Sequence, residues 1–275
     1  MDNAITVGLW GGIATLKSSC ARTFPGKIAW HSFDIGGFQR ARGGEADKFI
    51  VHEYPAPRRL SMDKKRHQLE GWAELWSTFL DNLSTDLKNP AVSTIVYDTM
   101  TRQWLACHRA YLQLAQDRNP NKEGLIQIEY GEINPWMFEV IDSPKDYGKN
   151  LVMTAHDEEQ REDVVVVDDK GKASKESVVM MEKGKPIMKV QGFRHAWKNA
   201  DFVLRMEAEK GVATGTVTKA GIGSIMLDGM SIPFPTYQKI EAIVEACELI
   251  EGKGLTVPGD FDLLMATAEA MRVTA

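Results

Sequence analysis

The 275-residue sequence has little of what marks secreted, zinc-binding or membrane proteins. Its three cysteines, Cys20, Cys107 and Cys247, lie far apart and form no C-x-x-C pair, so neither a disulfide framework nor a zinc site is expected. No apolar run reaches about 18 residues, and no basic stretch followed by an apolar run stands at the beginning, so we expect no membrane span and no signal peptide. These absences predict reduced thiols in an unprocessed, soluble, cytoplasmic protein.

An excess of positive charge is also missing. The chain has 33 Lys and Arg against 38 Asp and Glu, a formal net charge of −5, which argues against indiscriminate binding to nucleic acid or membranes. A local basic strip remains compatible with that balance. With 43% hydrophobic and 26% charged residues, the composition predicts a globular protein long enough for one large domain.

Short apolar runs alternate with helical patterns in the first 156 residues. Four runs are typical of strands covered on both faces, as in a parallel sheet. They are ITVGLW (5–10), KIAWHSFD (27–34), STIVYD (93–98) and NLVMTAH (150–156). Helical patterns follow at 16–24, 62–87, 100–116 and 133–144; the second carries an apolar stripe that we assign to the core, Trp72, Trp76, Phe79 and Leu83. The alternation predicts an α/β sandwich with right-handed connections.

The pattern changes after residue 156. Residues 157–190 mix charge runs, a VVVV run and the turn-like stretches DDKG and EKGK, which predicts an extended hairpin or a mobile insertion. Beyond it we expect antiparallel strands at 202–209, 211–220 and 224–230, and closing helices at 237–251 and 261–274. The simplest partition is a single domain over 1–275, with a core at 1–156, the insertion at 157–190 and the remaining elements at 191–275.

The segment TVGLWGGIATLKSSC (6–20) is close to a Walker A phosphate-binding loop, G-x-x-x-x-G-K-[ST]. Gly11, Lys17 and Ser18 occupy three fixed positions, and Leu16 stands where the second glycine is expected. A helix beginning at Lys17 would offer backbone N–H groups to a phosphate, while Lys17 would reach the β- and γ-phosphates and Ser18 would bind Mg2+. The predicted nucleotide-binding residues are Gly11, Gly12, Ile13, Ala14, Thr15, Leu16, Lys17, Ser18 and Ser19. The alternative is a surface turn that happens to contain Gly-Gly and Lys-Ser.

Three more polar residues end predicted strands. Asp98 has the place of a Walker B carboxylate, which would bind the water shell of Mg2+ together with Ser18. Asp34, before a glycine pair, is the candidate general base, and His156 could contact the γ-phosphate. The alternatives are a helix cap for Asp98, a simple turn for Asp34 and a structural role for His156. Since ligands bind at the carboxyl ends of the strands in open α/β sheets, these positions support one another.

In order and spacing, these blocks resemble the RecA-like AAA-type ATPases carried by phages, including those grouped as single-strand annealing recombinases. The resemblance covers roughly residues 5–205 and rests on GLWGGIATLKSSCARTFPGKIAWHSFDIGGFQRA, TIVYDTMTRQW and IEYGEINPWMFEVIDSPKDYGKNLVMTAHDEE. It implies a RecA-like P-loop NTPase fold, with a mainly parallel central sheet flanked by helices and a β-rich C-terminal half. It also implies ATP and Mg2+ as cofactors, and a role on single-stranded DNA in phage recombination or replication, in the cytoplasm of an infected bacterium. The implied partners are further copies in a ring or filament and a single-strand-binding protein.

The resemblance also assigns roles to individual residues. Lys17 and Ser18 match the loop lysine and hydroxyl. Asp98 matches the Walker B acid, and His156 matches the polar sensor at the end of the next strand. A bulky residue in the place of Leu16 is tolerated in that family, which favours a working loop.

The general base departs from the family pattern. Family members often carry D-x-E-G-G where this chain has Asp34-Ile-Gly-Gly. The missing glutamate leaves Asp34 as the candidate base, with Glu45 and Glu53 as alternatives.

Two loops would face DNA if the resemblance extends to the DNA path, namely 118–124 and 157–190. The second contains nine acidic and seven basic residues, so it is not a strongly cationic groove. Its candidate DNA contacts are Lys170, Lys172, Lys175, Lys183 and Lys185, with a solvated hairpin as the alternative. The nearby aromatic residues are Tyr130, Phe193 and Trp197, of which the last two suit a core equally well.

The segment GFRHAWKNADF carries a further basic group. Arg194, His195 and Lys198 are candidates for a charge supplied to the γ-phosphate of a neighbouring subunit, since ATPases of this type assemble head to tail. An exposed basic turn is the alternative.

Three functions remain open on the sequence. The first is a Mg2+-dependent ATPase coupled to single-stranded DNA. The second is a nucleotide-gated structural or interaction protein with little turnover, because Leu16 strains the loop and the base lacks its glutamate. The third is a motor subunit with the same core that acts on duplex DNA.

Overall fold

Strands and helices alternate along most of the chain, and the computed structural model describes them for residues 4–40, 45–58, 68–167, 173–221 and 227–273. The strands are β1 (Thr6–Trp10), β2 (Lys27–Ser32), β3 (Phe49–Glu53), β4 (Val92–Asp98), β5 (Asn150–Ala155), β6 (Asp157–Glu159), β7 (Arg161–Val167), β8 (Ala173–Val179), β9 (Met181–Glu182), β10 (Lys185–Pro186), β11 (Met188–Val190), β12 (Phe202–Glu209), β13 (Val212–Ala220) and β14 (Ser231–Pro233). The helices are α1 (Lys17–Ala21), α2 (Gly37–Arg40), α3 (Trp72–Lys88), α4 (Met100–Arg118), α5 (Tyr130–Asp146), α6 (Ala196–Asn199), α7 (Tyr237–Gly252) and α8 (Phe261–Val273), with short 3-10 turns at Ala46–Lys48 and Gln127–Glu129. None of the helices in the described ranges has the length and apolar character that crossing a membrane requires.

Eight strands form one central sheet in the order β14-β13-β12-β1-β5-β4-β2-β3. The six strands from β12 to β3 run parallel, whereas β13 and β14 run antiparallel at one edge. Parallel neighbours need long crossover connections, which the intervening helices provide. The prediction of a mixed α/β fold with a large, mainly parallel sheet flanked by helices is confirmed.

Helices cover both faces of this sheet because its central strands are apolar on both sides. On one face, α3, α4 and α5 pack in a cluster that contains the predicted stripe of Trp72, Trp76, Phe79 and Leu83, whose assignment to the core is confirmed. On the other face, α1, α7 and α8 contribute a second cluster around Phe24. The three cysteines are buried and unpaired.

Two helices are shorter than the sequence pattern predicted. Helix α3 begins at Trp72 because Gly71 adopts a φ of 80°, so Leu69 lies before the helix rather than in it. The earlier part of that prediction, 62–67, lies outside the described residues. Helix α1 ends at Ala21 rather than at 24, ahead of the Pro25-Gly26 turn.

Two strands were misplaced or missed. The third antiparallel strand is β14, whereas the prediction at 224–230 falls partly on a turn at Asp228 and Gly229, and partly (224–226) outside the described residues. Strand β3 was not predicted because FIVHE is short and ends in polar residues.

Within 157–190, the described residues form paired antiparallel strands. Strand β6 pairs with β11, β7 with β8 and β9 with β10. Among the candidate DNA contacts, Lys175, Lys183 and Lys185 are exposed on this extension, whereas Lys170 and Lys172 lie outside the described residues.

A buried polar cluster joins the β3 edge of the sheet to α3. Oδ2 of Asp86 lies 3.3 Å from Nε2 of His31 and 2.9 Å from Nε2 of His52. The Tyr54 hydroxyl lies 2.8 Å from Nδ1 of His31 and accepts a hydrogen bond from Nδ2 of Asn82 at 3.2 Å. Burial acts to raise the pKa of Asp86, but the two imidazoles outweigh burial and lower that pKa to about 2. Asp86 is therefore charged at neutral pH and ties α3 to the sheet.

Replacing Asp86 with asparagine is expected to lower the free energy of unfolding at pH 7 by about 1–3 kcal/mol, because a buried charged acceptor is lost. The pKa of Asp86 in the folded state, about 2, lies below its ordinary value of 3.8, so its contribution is complete above pH 3.8 and is lost as the pH falls through 2. Urea unfolding measures both effects. Asp81→Asn, an exposed site on the same helix, is the control, and equal stability of the two variants would contradict the prediction.

Candidate functional site

A cavity of about 270 Å³ lies at the carboxyl ends of the parallel strands. The loop between β1 and α1 forms one wall, and the ends of β2, β4 and β5 form the other. The lining residues are Ile13, Ala14, Thr15, Leu16, Lys17, Ser18, Ser19, Asp34, Gly37, Asp98, Thr99 and His156. The fold thus brings together in one cavity seven of the nine loop residues that the sequence analysis selected, those at 13–19, and all three strand-end residues, whereas Gly11 and Gly12 do not line it.

Lys17 is buried against its own loop. Its Nζ donates hydrogen bonds to the carbonyl oxygens of Gly11 at 2.9 Å and Gly12 at 2.6 Å, and to Oγ1 of Thr15 at 3.1 Å. Burial lowers the pKa of the Lys17 ammonium, and the nearby carboxylates, Asp157 foremost, act in the opposite direction. The loop therefore holds a cation inside the cavity wall.

Leu16 adopts the backbone conformation that favours glycine. Its φ of 63° and ψ of 22° lie in the left-handed region, where a residue with a Cβ costs roughly 1–2 kcal/mol. The side chain is 40% exposed, so the leucine is accommodated at the rim of the cavity. The substitution for glycine leaves the turn of the loop in place at an energetic cost.

Leu16→Gly is expected to be more stable than Leu16→Ala by about 1 kcal/mol, because both variants lose the same contacts and only alanine keeps a Cβ at positive φ. Urea unfolding of the two proteins measures the difference. The matched pair Ser84→Gly and Ser84→Ala, within α3, should show the opposite order. The same order at both positions would contradict the assigned loop conformation.

The loop also presents a group of backbone donors. Helix α1 begins at Lys17, so the N–H groups of its first turn, those of Lys17, Ser18 and Ser19, have no partner within the helix. Before and after them, Gly11 donates to the Ala155 carbonyl at 3.3 Å and Cys20 donates to the Leu16 carbonyl at 3.0 Å. Successive N–H groups in such a turn form a concave site suited to an anion. Together with the Lys17 ammonium, they give this wall the chemistry of a phosphate cradle.

Asp98 occupies the end of β4 and receives two hydroxyl groups. Oγ of Ser18 donates to its Oδ2 at 3.1 Å, and Oγ1 of Thr154 donates to its Oδ1 at 2.6 Å. Burial raises the pKa of Asp98, while these two hydrogen bonds act to lower it. The adjacent residue Thr99, and not Asp98, caps α4 by accepting from the Arg102 N–H. Ser18 and Asp98 offer hard oxygen ligands of the kind that Mg2+ takes alongside water and phosphate.

Asp34 faces the cavity beside Asp98. Its Oδ1 lies 3.7 Å from Nε of Arg102, so an exposed guanidinium stands next to the carboxylate. A Cβ added at Gly37 would lie 3.3 Å from Oδ2 of Asp98 and 3.7 Å from Oδ2 of Asp34. The glycine therefore leaves room for two carboxylates to approach the same space.

His156 follows β5 directly and lines the cavity on the side of Lys17. Its backbone N–H donates to Oγ1 of Thr101 at 3.1 Å. Burial lowers the pKa of the imidazole, and the charge of Lys17 lowers it further. The ring is therefore neutral at pH 7 and can donate one hydrogen bond.

A family model described as an AAA domain matches residues 9–222, more than half of the chain. The chain belongs to this AAA domain family. Membership makes it a P-loop-type ATPase domain and agrees with the mixed α/β fold and with the place of the cavity. A search of curated proteins found no match to the chain.

Some residues selected from the sequence lie elsewhere in the AAA domain. Glu45 and Glu53 do not line the cavity, and Glu53 accepts a hydrogen bond from Gln39 at 3.2 Å. Arg194, His195 and Lys198 are exposed and also lie outside its lining. The 118–124 stretch follows the 19-residue helix α4, which carries it about 28 Å away from the strand ends. Phe193 and Trp197 belong to the core, and Tyr130 packs against it.

Sequence reasoning missed five residues that complete the site of the AAA domain: Gly37, Thr99, Arg102, Thr154 and Asp157. Thr154 could have been found, because residues two apart on a strand share a face and His156 was already selected. Arg102 and Asp157 carry no such signal, since their places depend on how α4 and β6 leave the sheet.

Proposed function

We propose that this AAA domain is a Mg2+-dependent ATPase of the RecA-like type that acts on single-stranded DNA. The main support is the contact between Ser18 and Asp98, 3.1 Å from Oγ to Oδ2, in the same cavity as Lys17. A hydroxyl, a carboxylate and an ammonium converging beside unpaired backbone N–H groups suit a triphosphate with its divalent cation.

The loop would bind the phosphates of ATP. Lys17 would exchange its three bonds within the loop for the β- and γ-phosphate oxygens, and the N–H groups of Gly12–Ser19 would surround the same charge. Ser18 and Asp98 would hold Mg2+, which neutralises charge on the transferring phosphoryl group when bound.

Water activation would fall to Asp34. Its carboxylate lines the cavity, and neither Glu45 nor Glu53 does, which supports Asp34 as the base that orients the attacking water. The neutral imidazole of His156 would donate a hydrogen bond to the γ-phosphate. Thr154 would position Asp98 by holding its second oxygen.

The wider role follows from the resemblance to phage RecA-like ATPases. We propose one RecA-like domain over 1–275 that assembles as a ring or filament on single-stranded DNA during phage recombination or replication, together with a single-strand-binding protein. In such an assembly Arg194 or Lys198 would supply a charge to the γ-phosphate of a neighbouring copy, and the exposure of both side chains is compatible with that role.

A second candidate is a nucleotide-gated binding protein with little turnover. It is favoured by the positive φ of Leu16 and by the three loop acceptors that already satisfy Lys17. The strained backbone of Leu16 and the existing hydrogen bonds of Lys17 would both oppose the movement of Lys17 towards the phosphates that catalysis requires.

Phosphate release from ATP, measured with and without Mg2+ and single-stranded DNA, tests the proposal. The ATPase proposal expects Mg2+-dependent turnover that rises when single-stranded DNA is added. Tight ATP binding without phosphate release under any condition would instead support the second candidate. Equal stimulation by duplex DNA would favour a motor on duplex.

A further inference from the structure

A second cavity, of about 500 Å³, lies beside β1, β12 and β13 at the base of the 157–190 extension. Its floor includes Trp10, the residue directly before Gly11 of the phosphate-binding loop. The lining residues are Trp10, Gln160, Arg161, Met188, Lys189, Val190, Arg194, Trp197, Val203, Thr218 and Lys219. The 270 Å³ cavity shares none of them.

The charge of this lining is of one sign. No Asp or Glu belongs to it, and four cationic residues do, namely Arg161, Lys189, Arg194 and Lys219. They come from β7, β11, the segment before α6, and β13, so four separate segments contribute the positive charge. This local concentration of positive charge contrasts with the net charge of the whole chain, which is −5.

Two of the four cations form ion pairs with carboxylates at the rim. Arg161 pairs with Glu159 at 3.1 Å, and Lys189 pairs with Glu158 at 3.4 Å. Both pairs are at least partly exposed to solvent and are individually weak, so an anion of higher charge could replace the carboxylates.

Lys219 and Arg194 differ from these pairs. Nζ of Lys219 donates to the carbonyl oxygens of Trp197 at 3.3 Å and Ala200 at 2.8 Å, which leaves its charge without a carboxylate partner among the described residues. Arg194 is exposed and forms no ion pair or hydrogen bond with the rest of the described chain. It is therefore available to a ligand.

The floor of the cavity is apolar. The indoles of Trp10 and Trp197 are more than nine-tenths buried, and Met188, Val190 and Val203 lie beside them. A basic rim over an apolar floor offers one surface to the phosphates of a single strand and another to its bases.

We propose that this basic cavity, defined by Arg161, Lys189, Arg194 and Lys219, binds the backbone phosphates of a single strand of nucleic acid. The inference rests on the proposed function and names the surface that its nucleic acid contacts. A free phosphate or an acidic peptide would leave the apolar floor without a complementary group. The volume of about 500 Å³ falls in the range of about 300–1,000 Å³ typical of ligand pockets.

Fluorescence anisotropy tests the assignment. The probe is a labelled oligothymidylate of about 15 nucleotides, and it is titrated with the full chain, without ATP, at several salt concentrations. The double variant Arg161→Gln/Arg194→Gln is expected to bind about tenfold more weakly and to lose about 1.4 from the slope of log affinity against log salt, since each phosphate contact on a single strand contributes about 0.7. The charge-conserving variant Arg161→Lys/Arg194→Lys should keep most of that slope.

The matched control is Lys253→Gln/Arg272→Gln, which removes the same charge from exposed positions at the end of α7 and on α8. Equal affinity and slope in the two glutamine variants would overturn the proposal. The proposal would also be overturned if tripolyphosphate, a glutamate-rich peptide or duplex DNA competed as well as an unlabelled single strand does. Each of these results would assign the cavity to the ligand class of that competitor. A loss of ATP turnover in Arg194→Gln without DNA, with oligonucleotide binding unchanged, would overturn it in favour of a role towards a neighbouring subunit.

Binding of a fluorescent ATP analogue to the unaltered chain separates this inference from the proposed function. Oligonucleotide binding without ATP binding would refute the ATPase and leave the basic cavity supported. ATP binding and turnover without oligonucleotide binding would refute the cavity assignment and leave the ATPase supported.

Discussion

Lys17→Ala is expected to reduce ATP turnover by at least about 100-fold, the range seen when one donor to a transition-state oxyanion is removed. ATP affinity should fall as well, because the ammonium would contact phosphate before and during the reaction. The variant should still fold, because the hydrogen bonds that Nζ of Lys17 donates all run to its own loop, at Gly11, Gly12 and Thr15.

Phosphate release and binding of an ATP analogue measure the two effects of Lys17→Ala, and thermal unfolding checks the fold. Lys27→Ala, which removes an exposed lysine at the start of β2, is the control and should behave as the unaltered protein does. Turnover that persists in Lys17→Ala would place the reaction outside this cavity.

Asp34→Asn is expected to lower turnover by about 10²–10⁴-fold, the contribution typical of a general base, while ATP affinity changes little. Asparagine keeps the size of the side chain and its place beside Gly37, but it cannot take a proton from water. Loss of turnover with ATP binding retained would separate the base from the phosphate-binding groups.

Glu53→Gln is the control for Asp34→Asn, because Glu53 was the competing candidate and lies outside the cavity lining. Its turnover should equal that of the unaltered chain. If Asp34→Asn remains active and Glu53→Gln does not, the base has been assigned to the wrong carboxylate.

Local pattern predicted much of the candidate site because its main parts lie at the ends of apolar strands. Asp34, Asp98 and His156 follow β2, β4 and β5, and parallel strands place their carboxyl ends at one edge. The phosphate-binding loop could be recognised although Leu16 replaces its second glycine, because Lys17 and Ser18 keep the spacing of the motif. These features depend on chain order and need no knowledge of packing.

The rest depended on tertiary geometry. The Asp34–Arg102 contact requires the direction in which α4 leaves β4, and the hydrogen bond from Thr154 to Asp98 requires the register of β5 beside β4. The sequence pattern predicts DNA contacts on the lysines of the 157–190 extension. The concentration of cations at the base of that extension instead arises from four segments that only the fold brings together. No local pattern connects Arg161 with Lys219.

The buried cysteines have a practical consequence for labelling. Burial raises the pKa of Cys20 to about 12, and burial together with nearby glutamates raises that of Cys247 to about 11; the pKa of Cys107 is also raised. Since the thiolate is the species that reacts with maleimides and disulfides, all three native thiols should be slow to react in the folded protein. One cysteine introduced at an exposed position on the 157–190 extension, such as Lys175, would then take a fluorophore selectively, without first removing the native thiols.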